Sequence, residues 1–317
     1  MAGADENPQQ VHAAAWLALG TVIRLQVVTQ ETQRVVDEAM EDALAAIQSV
    51  EAACSRFDAD SELVRLMKQP AGQAVPVSPI LFQSLQFALE VAKLTEGRFD
   101  PVVGARMEAL GFTRHYVTQE TLAWDEEASP ESSYRDIELN AHNQTVCLKR
   151  ALHLDLGAVA KGLAVDLASK QLAAYGFAGF VVDAGGDVYV SGRDLGEAPW
   201  KVHIRHPDNR LDSLATLSVT DAAVCTSGDY ERRSPFNGEL HHIVNAQSSG
   251  PTSIRSLTVI APFTMMADAF STAAFTYPPM EAVQLLEQAG LTGLVVTEGL
   301  DILRTAGMED YLHEPIQ

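Results

Sequence analysis

Cysteine is scarce. Three residues, Cys54, Cys147 and Cys225, are widely spaced in a chain of 317, with no C-x-x-C pair. That leaves no basis for a disulfide framework or a thiolate metal centre, and the apolar neighbours of each cysteine suit buried, reduced thiols. Basic residues are few as well: 22 Lys and Arg stand against 42 Asp and Glu, a formal net charge of −20. Such a surface repels nucleic acid and anionic membranes, so neither is an expected partner. A bound anion would need a local cation or a metal ion. No apolar run is long enough for a transmembrane helix. The opening MAGADENPQQ lacks the basic and apolar regions of a signal peptide. A cytoplasmic location is expected on that ground, and a periplasmic one if a leader was removed. The G-x-G-x-x-G, G-x-S-x-G and H-E-x-x-H patterns are also missing, which removes the Rossmann fingerprint, the serine-hydrolase elbow and a zinc-hydrolase helix.

Apolar residues make up 47% of the chain, enough for a sizeable core. Residues 1–11 read as a flexible polar tail, and 12–317 as one domain. The linker-like stretch 124–133 (WDEEASPESS) would mark any division into two subdomains. Residues 16–28 read as a strand. Val35, Met40, Leu44, Ile47, Val50 and Cys54 keep helical spacing over about 31–54. Ser61 can cap a short helix, and Ser78-Pro79 starts another over 78–95. Strands are expected near 135–139, 144–149, 152–156, 179–184, 187–191, 200–205, 214–219, 222–226, 241–244, 256–262, 293–297 and 301–304. Helices are expected at 158–175, 265–276 and 279–289. Hairpin-like runs of strands with interspersed helices define an α+β fold with a largely antiparallel, mixed sheet at its core.

Five segments carry chemistry-bearing residues; one, Thr226-Ser227-Gly228-Asp229-Tyr230, is a strand end turning into a loop, read either as hydroxyls and N–H groups that hold a ligand or as a serine/threonine turn. In Leu154-Asp155-Leu156-Gly157-Ala158-Val159-Ala160-Lys161-Gly162, a glycine turn leads into a helix with Lys161 in its first turns. A cation there opposes the helix dipole. Either its stem carries the ammonium out to water, or ammonium and backbone N–H groups together hold a phosphate. Asp268 and Thr272, four apart, share one helix face. They suit Mg²⁺ as hard oxygen ligands, and an acid complementing the helix N-terminus is the other reading. Gly185-Gly186-Asp187 joins two apolar strands, as a hairpin turn or as a place where a ligand nears the backbone. His241-His242 offers a proton acceptor or a structural histidine.

Taken in order, these segments resemble the FAD:protein FMN transferase family, the ApbE-like flavin transferases. The likeness runs from about residue 16 to 277. Its motifs are Ala18-Leu19-Gly20-Thr21, Cys54-Ser55-Arg56-Phe57 through Ser61-Glu62-Leu63, Gly97-Arg98-Phe99-Asp100-Pro101, the Gly157-to-Asp166 segment, Gly185-Gly186-Asp187, Thr226-Ser227-Gly228, His242-Ile243 and Ala267-Asp268-Ala269-Phe270-Ser271-Thr272. The resemblance implies that Lys161, Asp155 and the Gly185-Gly186 turn hold FAD, and that Phe57 sits against the flavin ring. It places Leu19, Arg98, Phe99, Asp100, Asp187, Ser227 and Ile243 around the same ligand. It implies Mg²⁺ bound by Asp268, Thr272, the carbonyl of Ala158 and Ser271, with His242 as base. The implied reaction moves the FMN half of FAD onto a Thr or Ser hydroxyl of an acceptor protein and releases AMP. Splitting of FAD by water, and FAD binding without catalysis, are the alternatives. The chain departs from the family at Asn245 and Ala246, where an aspartate and a proline are usual.

Overall fold

The structure, a computed structural model, describes residues 8–114, 121, 128–129, 131–209, 211–230, 236, 241–247 and 252–314. Where one strand was expected, the chain folds a hairpin of β1 (Gln10–Ala18) and β2 (Thr21–Thr29), with Ala18 opposite Thr21. The two turn residues, Leu19 and Gly20, both have positive φ, 53° and 69°. That is the handedness a two-residue hairpin needs. Leucine is a rare occupant, so only Gly20 signalled the turn. The strand also claims Gln10 and Val11, which had been assigned to the tail.

Helix α1 (Gln33–Cys54) follows. Its buried stripe is Val36, Ala39, Met40, Ala43, Ile47, Val50 and Cys54. Val35 and Leu44 sit at the margin of that stripe. Ser61 caps α2 (Glu62–Met67) by accepting from Val64 N at 3.1 Å, and Ser78 caps α3 (Pro79–Leu94) through Leu81 N at 3.2 Å. Between them lies β3 (Ala74–Pro76), and α4 (Gly104–Ala109) comes next. Of the linker-like stretch, residues 124–127 and 130 fall outside the described residues. β4 (Ile137–Asn140) and β5 (Thr145–Leu148) form the expected hairpin and complete a small sheet in the order β3-β5-β4.

Residues 152–156 are not a strand. Leu152, Leu154 and Leu156 are fully buried, yet the backbone joins no ladder. Asp155 N donates to Pro101 O at 2.8 Å, and His153 O accepts from Gly104 N at 3.0 Å. An alternating apolar run thus satisfies its polar groups outside any sheet, from a loop and from helix ends.

Helix α5 (Gly157–Ala174) is apolar nearly all round and lies between α1 and α6 (Thr264–Phe275), with α7 (Pro279–Gln288) beyond. The main sheet also contains β6 (Gly179–Ala184), β7 (Asp187–Gly192), β10 (Ala222–Gly228), β11 (Ile254–Ala261), β12 (Thr292–Thr297) and β13 (Ile302–Arg304). Its order is β1-β2-β6-β7-β10-β11-β12-β13, and every described pair is antiparallel. One face, with Ile23, Leu25, Val182, Cys225 and Leu257, packs on the helices. The other, with Val28, Val190, Val224 and Ile260, is covered by the hairpin β8 (Trp200–Arg205) and β9 (Ser213–Val219). The alternation along β10 and β11 is the period-two signature of a sheet buried on both faces.

Residues 241–244, expected as a strand, are a loop in which Ile243 N donates to His241 Nδ1 at 3.2 Å. Among the described residues no helix is long and apolar enough to cross a membrane.

Candidate active site

One glycine explains how α5 and α6 come together. A Cβ on Gly162 would lie 2.5 Å from Met265 Cα and 2.6 Å from both Met265 N and Thr264 O. Only a residue without a side chain lets the two backbones touch. Asp166, one turn further along α5, accepts from Thr264 N at 2.6 Å and Met265 N at 2.9 Å. It satisfies the free N–H groups opening α6 and complements that helix's dipole. The role that one reading assigned to Asp268 is therefore filled by Asp166.

With that role taken, Asp268 turns to Lys161. The ammonium donates to Asp268 Oδ2 at 3.0 Å and to Asp187 at the start of β7. Gly162 N, whose regular helical acceptor is the Ala158 carbonyl, also donates to Asp268 Oδ2 at 3.2 Å. Among the described residues, Asp268 Oδ1 receives no hydrogen bond. Burial by itself would lower the Lys161 pKa, but the charges of Asp187 and Asp268 reverse this and hold it above the ordinary lysine range. Burial and the neighbouring Asp187 push the Asp268 carboxyl up, against the pull of Lys161. Two carboxylates facing one ammonium leave a surplus negative charge.

These groups line a cleft of about 950 Å³. Lys161, Asp187, Asp268, Thr272, Ala158 and Gly185 form one part of its wall. Ser227 adds a hydroxyl there, 2.8 Å from Ser271 Oγ and 3.3 Å from Thr272 Oγ1. Leu19, Phe57, Phe99, Asp100, Asp155, His242 and Ile243 line the same cleft. Of the adjacent histidines, His241 is buried edge-on to Phe275, with ring centroids 5.4 Å apart, while His242 reaches the cleft and meets Phe112 at 6.5 Å.

Three expected site residues lie off the cleft wall. Ser271 is fully buried; its hydroxyl donates to Asp268 O at 2.9 Å within α6 and meets Ser227 Oγ at 2.8 Å, behind the cleft wall. Arg98 stacks over the Tyr277 ring at 4.5 Å. Gly186 closes its turn by donating to Asp183 Oδ1 at 2.8 Å. Asp155 and Asp100 reach the cleft with both carboxylate oxygens engaged. Asp155 Oδ1 accepts from Gly157 N at 2.7 Å, and its Oδ2 forms an ion pair with the Arg56 guanidinium, 2.7 Å from Nε. Asp100 accepts from Val102 N at 2.9 Å and Tyr134 N at 3.0 Å.

Arg56 and Glu51 also line the cleft, and sequence reasoning gave neither a role. The buried Arg56 guanidinium forms an ion pair with Asp155 and donates to Phe112 O at 2.5 Å, tying three wall segments together. A cation between apolar Cys54 and Phe57 was the available signal. Asn245 donates to Thr276 O, the end of α6, at 3.3 Å. An aspartate could not donate there, which gives the departure from the family pattern a local reason.

A family model described as "ApbE family" matches residues 19–295. The FAD:protein FMN transferase of Treponema pallidum is 30% identical, over 94% of this chain and 88% of its own length. The crystal structure of the ApbE protein from Thermotoga maritima superposes with a TM-score of 0.85 at 30% identity, covering 96% of this chain and all of that one. The apo flavinyl transferase ApbE of Pseudomonas stutzeri shares the fold, with a TM-score of 0.79 at 22% identity over 96% and 98% of the two chains. The chain belongs to the ApbE family.

Proposed function

We propose that this protein transfers the FMN portion of FAD to a Thr or Ser hydroxyl of an acceptor protein, with Mg²⁺ as cofactor and AMP as the released product. The observation carrying this reading is that Lys161, Asp268 and His242, distant in sequence, share one cleft with the apolar side chains Leu19 and Phe57. A dinucleotide with a flat ring at one end and a diphosphate in the middle suits such a wall. The relatives' names support flavin transfer.

A divalent cation fits the residues present. Among the described residues no cluster of three or more His, Cys, Asp or Glu side chains is arranged to hold a metal. Mg²⁺, however, is satisfied by few protein oxygens and keeps waters. The open Asp268 Oδ1, the Thr272 hydroxyl and the Ala158 carbonyl would hold it. The surplus carboxylate charge beside Lys161 favours it. When bound, it would supply charge neutralisation at the phosphate oxygens.

Lys161, held by Asp187 and Asp268, offsets charge on the diphosphate. His242 takes the proton of the acceptor hydroxyl. The hydroxyl oxygen forms a bond to the phosphorus of the FMN half, and the bridging P–O bond breaks with AMP leaving. The walls tied together by Arg56 hold the ring while this happens. The test is incubation with FAD, Mg²⁺ and a candidate acceptor, read by mass spectrometry. An acceptor that gains the FMN mass while AMP appears supports transfer. Free FMN with AMP and an unlabelled acceptor indicates hydrolysis, and intact bound FAD indicates binding alone.

A further inference from the structure

Among the described residues, five carboxylates line the cleft: Glu51, Asp100, Asp155, Asp187 and Asp268. Asp100 and Asp155 have both oxygens engaged, by backbone N–H groups and Arg56. Asp187 and Asp268 face the Lys161 ammonium. Glu51 differs from all four. It sits on α1 one turn before Cys54, and its Oε1 accepts from Leu19 N at 2.7 Å. Among the described residues Oε2 has no hydrogen-bond partner and no cation pairs with the group. Its neighbours on the cleft wall include Leu19, Val50, Cys54 and Phe57, so the open oxygen stands as a polar acceptor within an apolar stretch of the wall.

The bond to Leu19 fixes Glu51 in place and holds a leucine in the left-handed region, φ 53°. That conformation costs about 1–2 kcal/mol and persists where the surroundings enforce it. The open oxygen is thus presented in a defined position. An oxidised isoalloxazine ring carries one N–H, the imide N3, and a carboxylate offers acceptors only. With the diphosphate held near Lys161, the ring extends to the apolar part of the wall, where its N–H needs an acceptor.

We propose that Glu51 accepts the imide N3–H of the flavin ring and is a specificity-determining residue for flavin at this end of the cleft. The proposal rests on the transferase reading above and adds the group that reads the ring. A hydrogen bond to a charged acceptor corresponds to roughly a 10- to 100-fold discrimination.

The test compares FAD with N3-methyl FAD, an analogue that removes the donor without touching the protein fold. The wild-type protein is expected to use N3-methyl FAD about 10- to 100-fold less efficiently in kcat/KM. In Glu51→Gln, the amide oxygen can keep the Leu19 N bond while its NH₂ faces the imide N–H. This variant is expected to use FAD poorly and to treat the two flavins alike, the non-additivity that marks direct contact. Equal use of both flavins by the wild type overturns the proposal alone, and so does undiminished discrimination by Glu51→Gln. Failure of unmodified FAD to bind or react sinks the transferase reading and this proposal together.

Discussion

Replacing Gly162 with alanine asks whether the contact between α5 and α6 sets the geometry of the site. The added Cβ meets backbone atoms of Thr264 and Met265 at 2.5–2.6 Å, so no side-chain rotation can relieve it. Reaching an ordinary contact of about 3.5 Å requires the helices to part by about 1 Å. Overpacking of this kind costs about 1–3 kcal/mol, a loss of roughly 1.5–4.5 °C in Tm for a chain of this size. The same shift would stretch the 3.0 Å contact between Lys161 and Asp268, and a displacement of about 1 Å can lower turnover about 100-fold. The assay pairs thermal unfolding followed by circular dichroism with flavin transfer measured well below Tm. Gly176→Ala is the control. Its φ is +72° but nothing lies within 4 Å of the added Cβ, so it should lose stability with normal turnover. If Gly162→Ala keeps both the wild-type Tm and wild-type turnover, the reasoning is refuted.

Removing the ammonium should expose the surplus carboxylates. Because the Lys161 pKa is raised above its ordinary 10.5, the stability it lends is whole below that pH and disappears only as pH climbs through the raised value. In Lys161→Met, Asp187 and Asp268 face each other uncompensated, a loss of about 3–5 kcal/mol at neutral pH. Protonation relieves that repulsion, so urea melts should show the gap to wild type narrowing from pH 8 to pH 5.5; a pH-independent gap contradicts the assignment. His242→Ala is expected to lower transfer about 10²- to 10⁴-fold with little change in FAD affinity, measured by single-turnover labelling and equilibrium titration. The Cys54 thiol, pushed up to about 11 by burial, and Cys225, raised well above the ordinary thiol value by burial, should resist alkylation in the native protein. The half-buried Cys147 should react first in mass-spectrometric mapping, and early labelling of Cys225 would contradict its place beneath the site.

Much of the helical framework was legible because its signals are local. Ser61, Ser78-Pro79 and the apolar spacing of α1 state their own geometry. The β1–β2 turn was not, since a leucine at positive φ is imposed by Glu51, 32 residues away. The run 152–156 has the alternation of a strand, but the partners that satisfy its backbone carry no sequence mark. In the site, most of the residues the sequence singles out line one cleft. Ser271 lies off the cleft wall while Thr272 lines it, because consecutive residues on a helix point about 100° apart. Glu51 and Arg56 were passed over because their importance lies in what they hold.

The central claim is that a single cleft grips a diphosphate between the Lys161 ammonium and a divalent cation at Asp268. Crystals grown with FAD and Mn²⁺, measured at the manganese absorption edge, test it directly. The predicted result is an anomalous peak at Asp268 and Thr272, with the diphosphate in contact with both it and Lys161 and the ring toward Phe57. Manganese bound elsewhere, or FAD seated outside this cleft, would contradict it.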